Sequence, residues 1–162
     1  RRVRDGIKRR ANMYGTMYDR ILVPTDGSDT VEQTLPHALS LAADTDATVQ
    51  ALYVVDTRAI HAADADDREA LEADLTETGE DAVESVADRA AAEDLAFETE
   101  IRRGTPDTEI VRHAEETDSD VIVIGTDGKT PREKLQALGS VSERVVDSAP
   151  IPVFVVKGDN IA

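Results

Sequence analysis

The sequence predicts an α/β protein: a single-domain, doubly wound sheet of five parallel strands with helices on both faces. Three observations predict this class. The length of 162 residues suits one domain. Strand-like and helix-like segments alternate along the chain, as in folds built from β-α-β units. The runs "ILV", "VIVI" and "VFVV" are continuously apolar, as expected for strands that are covered on both faces.

Five segments have strand character, and each is followed or preceded by a segment with helical spacing. The predicted strands are "RILVPTD" (20–26), "ATVQALYVVD" (47–56), "AFETEIRRG" (96–104), "DVIVIGT" (120–126) and "IPVFVVK" (151–157). Ligands of doubly wound sheets bind beyond the carboxyl ends of the strands, where the strand order reverses. We therefore expect functional residues directly after these strands.

The first two helices are predicted over about 30–43 and about 66–92. Pro36 lies within the first, and because it has no amide donor we expect it to kink or divide that helix. The second helix has an acidic face and an apolar stripe at helical spacing. The stripe consists of Leu71, Leu75, Ala82, Val86 and Ala90.

The helix between the third and fourth strands has a clear start. Thr105 is a suitable N-cap and Pro106 suits the first helical position. Ile110, Val111 and Ala114 form its predicted buried stripe. A last helix is expected to begin near Ser140, before the fifth strand.

The net charge of the chain is informative about its environment and its partners. The chain carries -16, but residues 1–16 hold six basic residues and one acid, which leaves 12 basic and 33 acidic residues and a net charge of -21 in the remainder. Lysine occurs only at Lys8, Lys129, Lys134 and Lys157. This pattern indicates adaptation to concentrated salt, as in an extreme halophile, with an acidic mesophilic surface as the alternative. A folded part without a basic cluster argues against a nucleic-acid partner.

Residues 1–16 are expected to be a basic, disordered extension, and 17–160 the folded domain. No apolar run approaches the length of a membrane span and no secretory segment is evident, so a cytoplasmic protein without a membrane partner is expected. The absence of cysteine excludes thiol catalysis and thiolate metal sites. His37, His61 and His113 have no ligand spacing, and are interpreted as helix or surface residues with His61 in a loop.

The stretch "GTDGKTPREKLQALGS" (125–140) contains Gly-Lys-Thr but is not a P-loop, because Val123 occupies the position of the required first glycine. The dinucleotide fingerprint G-x-G-x-x-G fails as well. Gly139 allows backbone to approach a ligand, and Ser140 and Ser142 at a helix start favour an anion. Asp26 would repel phosphate, and therefore fits a ribose or an adenine donor better.

These residues carry a family resemblance. "ILVPTDGSD", "LYVVD" and the run from "VIVIGTDG" to "VFVVK" make Met17 to Lys157 resemble a universal stress protein of the ATP-binding type, with a Rossmann-like, adenine-nucleotide-binding fold. That type carries G-x2-G-x9-G-[S/T]. This chain offers Gly125, Gly128, Gly139 and Ser140, with ten residues rather than nine between the second and third glycine. Asp127 also departs from the histidine that many relatives have there.

The resemblance implies a set of binding residues and partners. Pro24, Thr25 and Asp26 would border the nucleoside, and Val54, through its backbone, and Ile124 would flank the base. The ribose and phosphates would contact Gly125, Gly128, Gly139, Ser140, Val141 and Ser142. Lys129 is added on charge grounds alone. ATP, with or without magnesium, and a homodimer formed partly by the last strand are also implied.

Three functions remain open at this point. The first is a regulatory or sensing module that binds ATP and acts on an unidentified protein partner. The second is a dimeric stress protein that needs no nucleotide, which the longer loop and Asp127 favour. The third is a slow ATPase or an autophosphorylating protein, with Ser140 or Ser142 as acceptor. Plainer roles compete at each residue: the first two glycines as a turn, Asp26 as a helix cap, and Ser140 as an N-cap.

Overall fold

The structure is a computed structural model that describes residues 18–126 and 140–158. The expectations for the basic extension, Gly128, Lys129 and Gly139 therefore lie outside the described residues. Ten elements follow one another in the described parts, in the order β1 (Arg20–Pro24), α1 (Thr30–Thr45), β2 (Thr48–Asp56), α2 (Thr57–Ala62), α3 (Arg68–Ala92), β3 (Phe97–Gly104), α4 (Pro106–Glu116), β4 (Val121–Gly125), α5 (Ser140–Ser148) and β5 (Val153–Val156).

The five strands form one parallel sheet in the order β3-β2-β1-β4-β5. The chain first builds outward from β1 to β3, then returns to the other side of β1 with β4 and β5. The strand order therefore reverses between β1 and β4. This arrangement confirms the predicted doubly wound, five-stranded fold. It also places the expected ligand site beyond the carboxyl ends of β1 and β4.

Alternate residues along the strands are buried on opposite faces of the sheet. On one face, Ile21 and Val23 of β1 pack in a core that includes residues of α1 and α3. On the other, Leu22 packs in a core with Ile110 of α4 and Val145 of α5. All five of these side chains are at most 3% exposed. Because β1 and β4 are covered on both faces, their apolar runs show no polar alternation.

The continuous apolar run of β5 has a different environment from the one predicted. Phe154 is 49% exposed and Val155 is 41% exposed. The expectation that "VFVV" is covered on both faces is therefore wrong for the single chain. The reason is position, since β5 is an edge strand and pairs only with β4.

Pro36 does not divide the first helix, which was one of the two outcomes expected of it. Helix α1 runs without interruption from Thr30 to Thr45 with Pro36 inside it. The proline lies on the exposed side of the helix, opposite the buried Leu35, Ala38 and Leu39. The carbonyl that loses its amide donor there can be hydrated, so the helix tolerates the lost bond.

Two other helix predictions need correction or refinement. A short helix, α2, directly follows β2 and contains His61, which was expected in a loop. In α3, Val83 and Gly79 belong to the buried face with Val86, whereas Leu71 and Leu75 at its start pack only at the rim of the core.

Helix α4 begins as predicted, with Thr105 at the N-cap position and Pro106 in the first turn, although the threonine side chain makes no capping bond.

Candidate functional site

A cavity of about 320 Å³ opens at the carboxyl ends of the strands, at the point where the strand order reverses. We call it the strand-end cavity. Its lining comes from β1, β2 and β4 and the residues that follow β1, and from α1 to α5. The lining residues are Pro24, Thr25, Asp26, Thr30, Val31, Thr34, Leu52, Tyr53, Val54, Asp56, Arg58, Ala59, Leu75, Pro106, Ile110, Ile124, Gly125, Ser140, Val141 and Ser142.

Nine of the twelve binding residues predicted from the sequence line this cavity. They are Pro24, Thr25, Asp26, Val54, Ile124, Gly125, Ser140, Val141 and Ser142. The other three, Gly128, Lys129 and Gly139, lie outside the described residues. Segments from distant parts of the chain, from Pro24 to Ser142, therefore meet at one cavity, because the carboxyl ends of parallel strands meet at one edge of the sheet.

The turn after β1 presents Asp26 to the cavity. Thr25 continues the strand pairing through its amide, which donates to the carbonyl of Leu52 at 2.8 Å. Asp26 is exposed, and its Oδ1 accepts bonds from the amide of Ser28, at 2.9 Å, and from the Ser28 hydroxyl. The N-cap position of α1 belongs to Asp29. Asp26 is thus held by its own turn rather than by capping the helix.

Gly27 makes this turn possible. Its φ of 79° lies in the left-handed region, and a Cβ at this position would lie 2.9 Å from Thr78 Cγ2 of α3. A side chain here would both strain the backbone and push on the neighbouring helix.

Close packing against α1 explains why residue 125 is a glycine, without reference to a ligand. A Cβ at this position would lie 2.5 Å from Thr30 Cγ2 and 2.6 Å from Thr34 Oγ1. The end of β4 therefore approaches the first turns of α1 more closely than any other residue would allow. This close approach brings the end of β4 to the wall of the cavity.

An aspartate and an arginine form a bonded pair at the end of β2. Asp56 is the N-cap of α2, and its Oδ1 accepts a 3.0 Å bond from the amide of Arg58. The Arg58 guanidinium donates from Nε to Asp56 Oδ1 at 3.0 Å and from a terminal nitrogen to Asp56 Oδ2 at 2.8 Å. The hydrogen bonds from the Arg58 side chain are the main reason that the pKa of Asp56 is lowered, and the same pairing raises the pKa of Arg58.

Tyr53 forms part of the cavity wall on the α3 side. Its side chain is buried against Gly79, where a Cβ would lie 2.4 Å from the ring. Burial, followed by the negative charges of Asp26 and Asp56, raises the pKa of the Tyr53 phenol. The phenol is consequently neutral at physiological pH.

Helix α5 begins at the cavity. Ser140, Val141 and Ser142 are its first three residues, and Ser142 is only 5% exposed. The first amides of a helix have no partner within the helix and lie at the positive end of its dipole. Together with the two hydroxyls they can accommodate an anionic group.

The charges of the cavity are unevenly placed. Among its described lining residues, the ionised side chains are Asp26, Asp56 and Arg58, which sum to a net charge of -1. All three lie at or just after the ends of β1 and β2, so the β4 and α5 side of the described lining carries no charged side chain. An anion would therefore meet less repulsion at α5 than beside β2.

Several lining residues were not predicted from the sequence. Thr30 and Thr34 of α1, Tyr53, Leu75 of α3 and Ile110 of α4 reach the cavity from helices and a strand interior. Arg58 could have been found, because it comes two residues after the end of a predicted strand. Nothing in the sequence singles out Leu75 or Ile110 from other apolar helix positions.

The described residues provide neither a metal cluster nor a membrane-spanning helix. Across 18–126 and 140–158, no group of three or more His, Asp or Glu side chains is placed to bind a metal ion. In the same parts of the chain, no helix is both long and apolar enough to span a membrane.

The fold and the cavity together define a class: a doubly wound α/β protein with a ligand-sized cavity at its topological switch point. Comparison with known proteins narrows this class. The model of the universal stress protein family matches residues 17–157. The chain belongs to the universal stress protein family.

Individual relatives agree with this assignment. Universal stress protein MJ0531 of Methanocaldococcus jannaschii is 41% identical over 142 residues, which cover 87% of this chain and 83% of that protein. The solved structure of MJ0577, from the same organism, superposes with a TM-score of 0.80 at 34% identity and covers 90% of this chain and 99% of that one. A universal stress protein of Archaeoglobus fulgidus, solved in complex with dAMP, has a TM-score of 0.59 at 27% identity. The match covers 88% of this chain and 100% of that one.

Proposed function

We propose that this protein binds an adenine nucleotide, ATP in particular, in the strand-end cavity and acts as a regulatory module whose occupancy is read by a protein partner. One observation carries the proposal. Nine residues from separate parts of the chain, chosen from the sequence as nucleotide contacts, line a single cavity at the topological switch point. This is the position at which doubly wound sheets bind their ligands.

The two ends of the cavity suit the two ends of a nucleotide. Towards β2 the lining includes the apolar side chains of Leu52, Val54, Ala59 and Ile110, which can pack against a base. Towards β4 it includes the start of α5, with Ser140 and Ser142, which suits phosphates. Gly128, Lys129 and Gly139 would complete the phosphate contacts, and magnesium would offset the remaining phosphate charge.

A relative supports the class of ligand. The Archaeoglobus fulgidus protein binds dAMP, as its complex records, and it shares this chain's fold. Adenine mononucleotides are thus ligands that a universal stress protein of this fold can accommodate.

The test begins with the nucleotide that travels with the freshly purified protein, extracted and identified by chromatography after purification in concentrated KCl with magnesium. We expect ATP at close to one equivalent, or saturable binding of added ATP by calorimetry. A protein that is empty and binds no adenine nucleotide at millimolar concentration contradicts the proposal. It would favour the alternative of a dimeric protein that acts without a nucleotide.

The same preparation distinguishes binding from phosphoryl transfer. After incubation with ATP and magnesium, intact-mass and peptide mass spectrometry would find a phosphate on Ser140 or Ser142 if the protein autophosphorylates. Chromatography of the supernatant would show ADP if it hydrolyses ATP. Unchanged protein with unchanged ATP leaves a binding module.

We further propose a homodimer formed partly by β5. Phe154 and Val155 lie on an edge strand and are about half exposed, and an exposed apolar edge favours pairing with a second chain. Sedimentation equilibrium should give a dimer for the native chain and a monomer for Phe154→Lys. Val146→Lys, which alters a residue that is also 49% exposed but lies on α5, should remain dimeric. A monomeric native chain contradicts this part of the proposal.

A further inference from the structure

The Asp56–Arg58 pair suggests a more specific role at one end of the cavity. Arg58 is the one lysine or arginine among the described lining residues, and its side chain is 50% exposed. It is nevertheless fixed, because two of its nitrogens bond both oxygens of Asp56. Asp56 is in turn held as the N-cap of α2, at the end of β2, which is an interior strand of the sheet.

The electrostatic surroundings of Arg58 make it a poor partner for phosphate. Asp56 already balances its charge, and Asp107 at the start of α4 adds a further negative field at the guanidinium. Asp26 contributes another negative charge to the same cavity. A phosphate brought to Arg58 would thus meet two carboxylates beside the cation and a third elsewhere in the same cavity.

Distance also separates Arg58 from the anion-binding end. Strand β1 lies between β2, which Arg58 follows, and β4, which leads towards α5. Neighbouring strands are about 4.8 Å apart, so the ends of β2 and β4 are separated by about 10 Å. That separation is comparable to the length of a nucleoside. If the phosphates bind at α5, the group that reaches Arg58 is the base.

A guanidinium whose N–H groups bind a carboxylate still offers its flat face to an aromatic ring. We propose that Arg58, oriented by Asp56, stacks on the nucleotide base and closes the β2 end of the strand-end cavity. The inference rests on the proposed nucleotide-binding function and assigns Arg58 as a determinant of base affinity, with Asp56 as its positioning residue.

The test compares Arg58→Ala and Arg58→Lys with the native chain, using adenosine, AMP and ATP as ligands. Loss of the stacked guanidinium plane should weaken binding of all three ligands by a similar factor, about 3- to 10-fold. Lysine keeps the charge but lacks the flat face, so it should restore little of that affinity. Arg103→Ala is the matched control, since Arg103 is 59% exposed and also forms an ion pair, with Glu72, away from the cavity. It should bind all three ligands like the native chain.

A spectroscopic signature separates stacking from a merely structural role. In the native chain, adenosine should shift the side-chain proton resonances of Arg58 upfield through the ring current of the base, and leave those of Arg103 unchanged. Urea unfolding of each variant checks that the fold is intact.

Distinct results overturn the inference. A loss that is absent for adenosine, grows with the number of phosphates and is restored by lysine would make Arg58 a phosphate ligand. Unchanged ligand affinity in both Arg58 variants, or no shift of the Arg58 resonances, would show that Arg58 does not contact the base. ATP binding by the native chain would still support the proposed function in that case. A native chain that binds none of the three ligands overturns both.

Discussion

Ser140→Asp should separate nucleotide binding from helix stability. The substitution places a carboxylate at the first residue of α5, on the wall of the strand-end cavity. An acid in the first turn of a helix favours the folded chain by about 0.3 to 1 kcal/mol, because it complements the helix dipole. The same charge would repel a phosphate bound there. The variant is therefore expected to be at least as stable as the native chain and to bind ATP more weakly.

The size of the loss follows from the expected separation of the charges. A carboxylate about 5 Å from one phosphate charge raises the energy of the complex by about 1 kcal/mol in bulk water, and by about 3 kcal/mol at an effective dielectric constant of 20. These energies correspond to a loss of about 5- to 150-fold in affinity. Concentrated salt screens exposed charges, so measurements in high KCl should fall near the lower value.

Ser148→Asp is the matched control. Ser148 ends the same helix, is exposed and does not line the cavity. It lies about 12 Å from Ser140, given a rise of about 1.5 Å per residue. The acid should destabilise the chain by about 0.3 to 1 kcal/mol, since it opposes the dipole, and should leave ATP affinity unchanged.

The assays are calorimetric titration with ATP and urea unfolding followed by circular dichroism. Native-like ATP affinity in Ser140→Asp would refute the placement of phosphates at the start of α5. An equal loss in both variants would show an effect of net charge rather than of position.

Two further predictions concern packing and pH. Gly125→Ala should lower the free energy of unfolding by about 1 to 3 kcal/mol, because its Cβ would lie 2.6 Å from Thr34 Oγ1. Gly158→Ala is the control, and it should have little effect in the same urea titrations, because its Cβ would lie 3.2 Å from the flexible end of a glutamine side chain. His113 is buried and its pKa is lowered, first by burial and then by the charge of Arg102, which donates a 3.1 Å bond to its Nδ1. Its contribution to stability is therefore present above the unfolded pKa of about 6.5 and declines as pH falls below that value. His113→Gln, which does not titrate, should show a smaller fall in unfolding free energy between about pH 7 and 5. An equal fall would assign the pH dependence to other groups.

Much of the fold could be predicted from local pattern. Continuous apolar runs identified β1 and β4 as strands that are buried on both faces, and Thr105 and Pro106 placed the start of α4 correctly. These signals depend on backbone chemistry and on the periodicity of neighbouring residues, which the sequence contains in full. Strand ends then predicted where a site would lie, since the carboxyl ends of parallel strands meet at one edge, and the family resemblance supplied the nine predicted residues that line the cavity.

Other features depend on which elements become neighbours, and no local pattern contains that information. The run "VFVV" resembles the buried strands, yet its position at the sheet edge leaves Phe154 about half exposed. Pro36 does not interrupt its helix, because packing places it on the solvent side. Gly125 lines the cavity as predicted, but the close approach of α1, which also requires a glycine there, is visible only in the tertiary structure.

The sequence by itself determined the fold class and the edge of the sheet where a site is expected, because both follow from apolar runs, helix starts and strand ends. Only the tertiary structure decided the composition of the cavity wall. Leu75 and Ile110 reach the cavity wall from helices, and Tyr53 lines the cavity with its ring packed against Gly79. The pairing of Arg58 with Asp56 likewise depends on how α2 begins at the end of β2. The contacts of Leu75, Ile110 and Tyr53 are set by packing between elements, which sequence spacing does not specify.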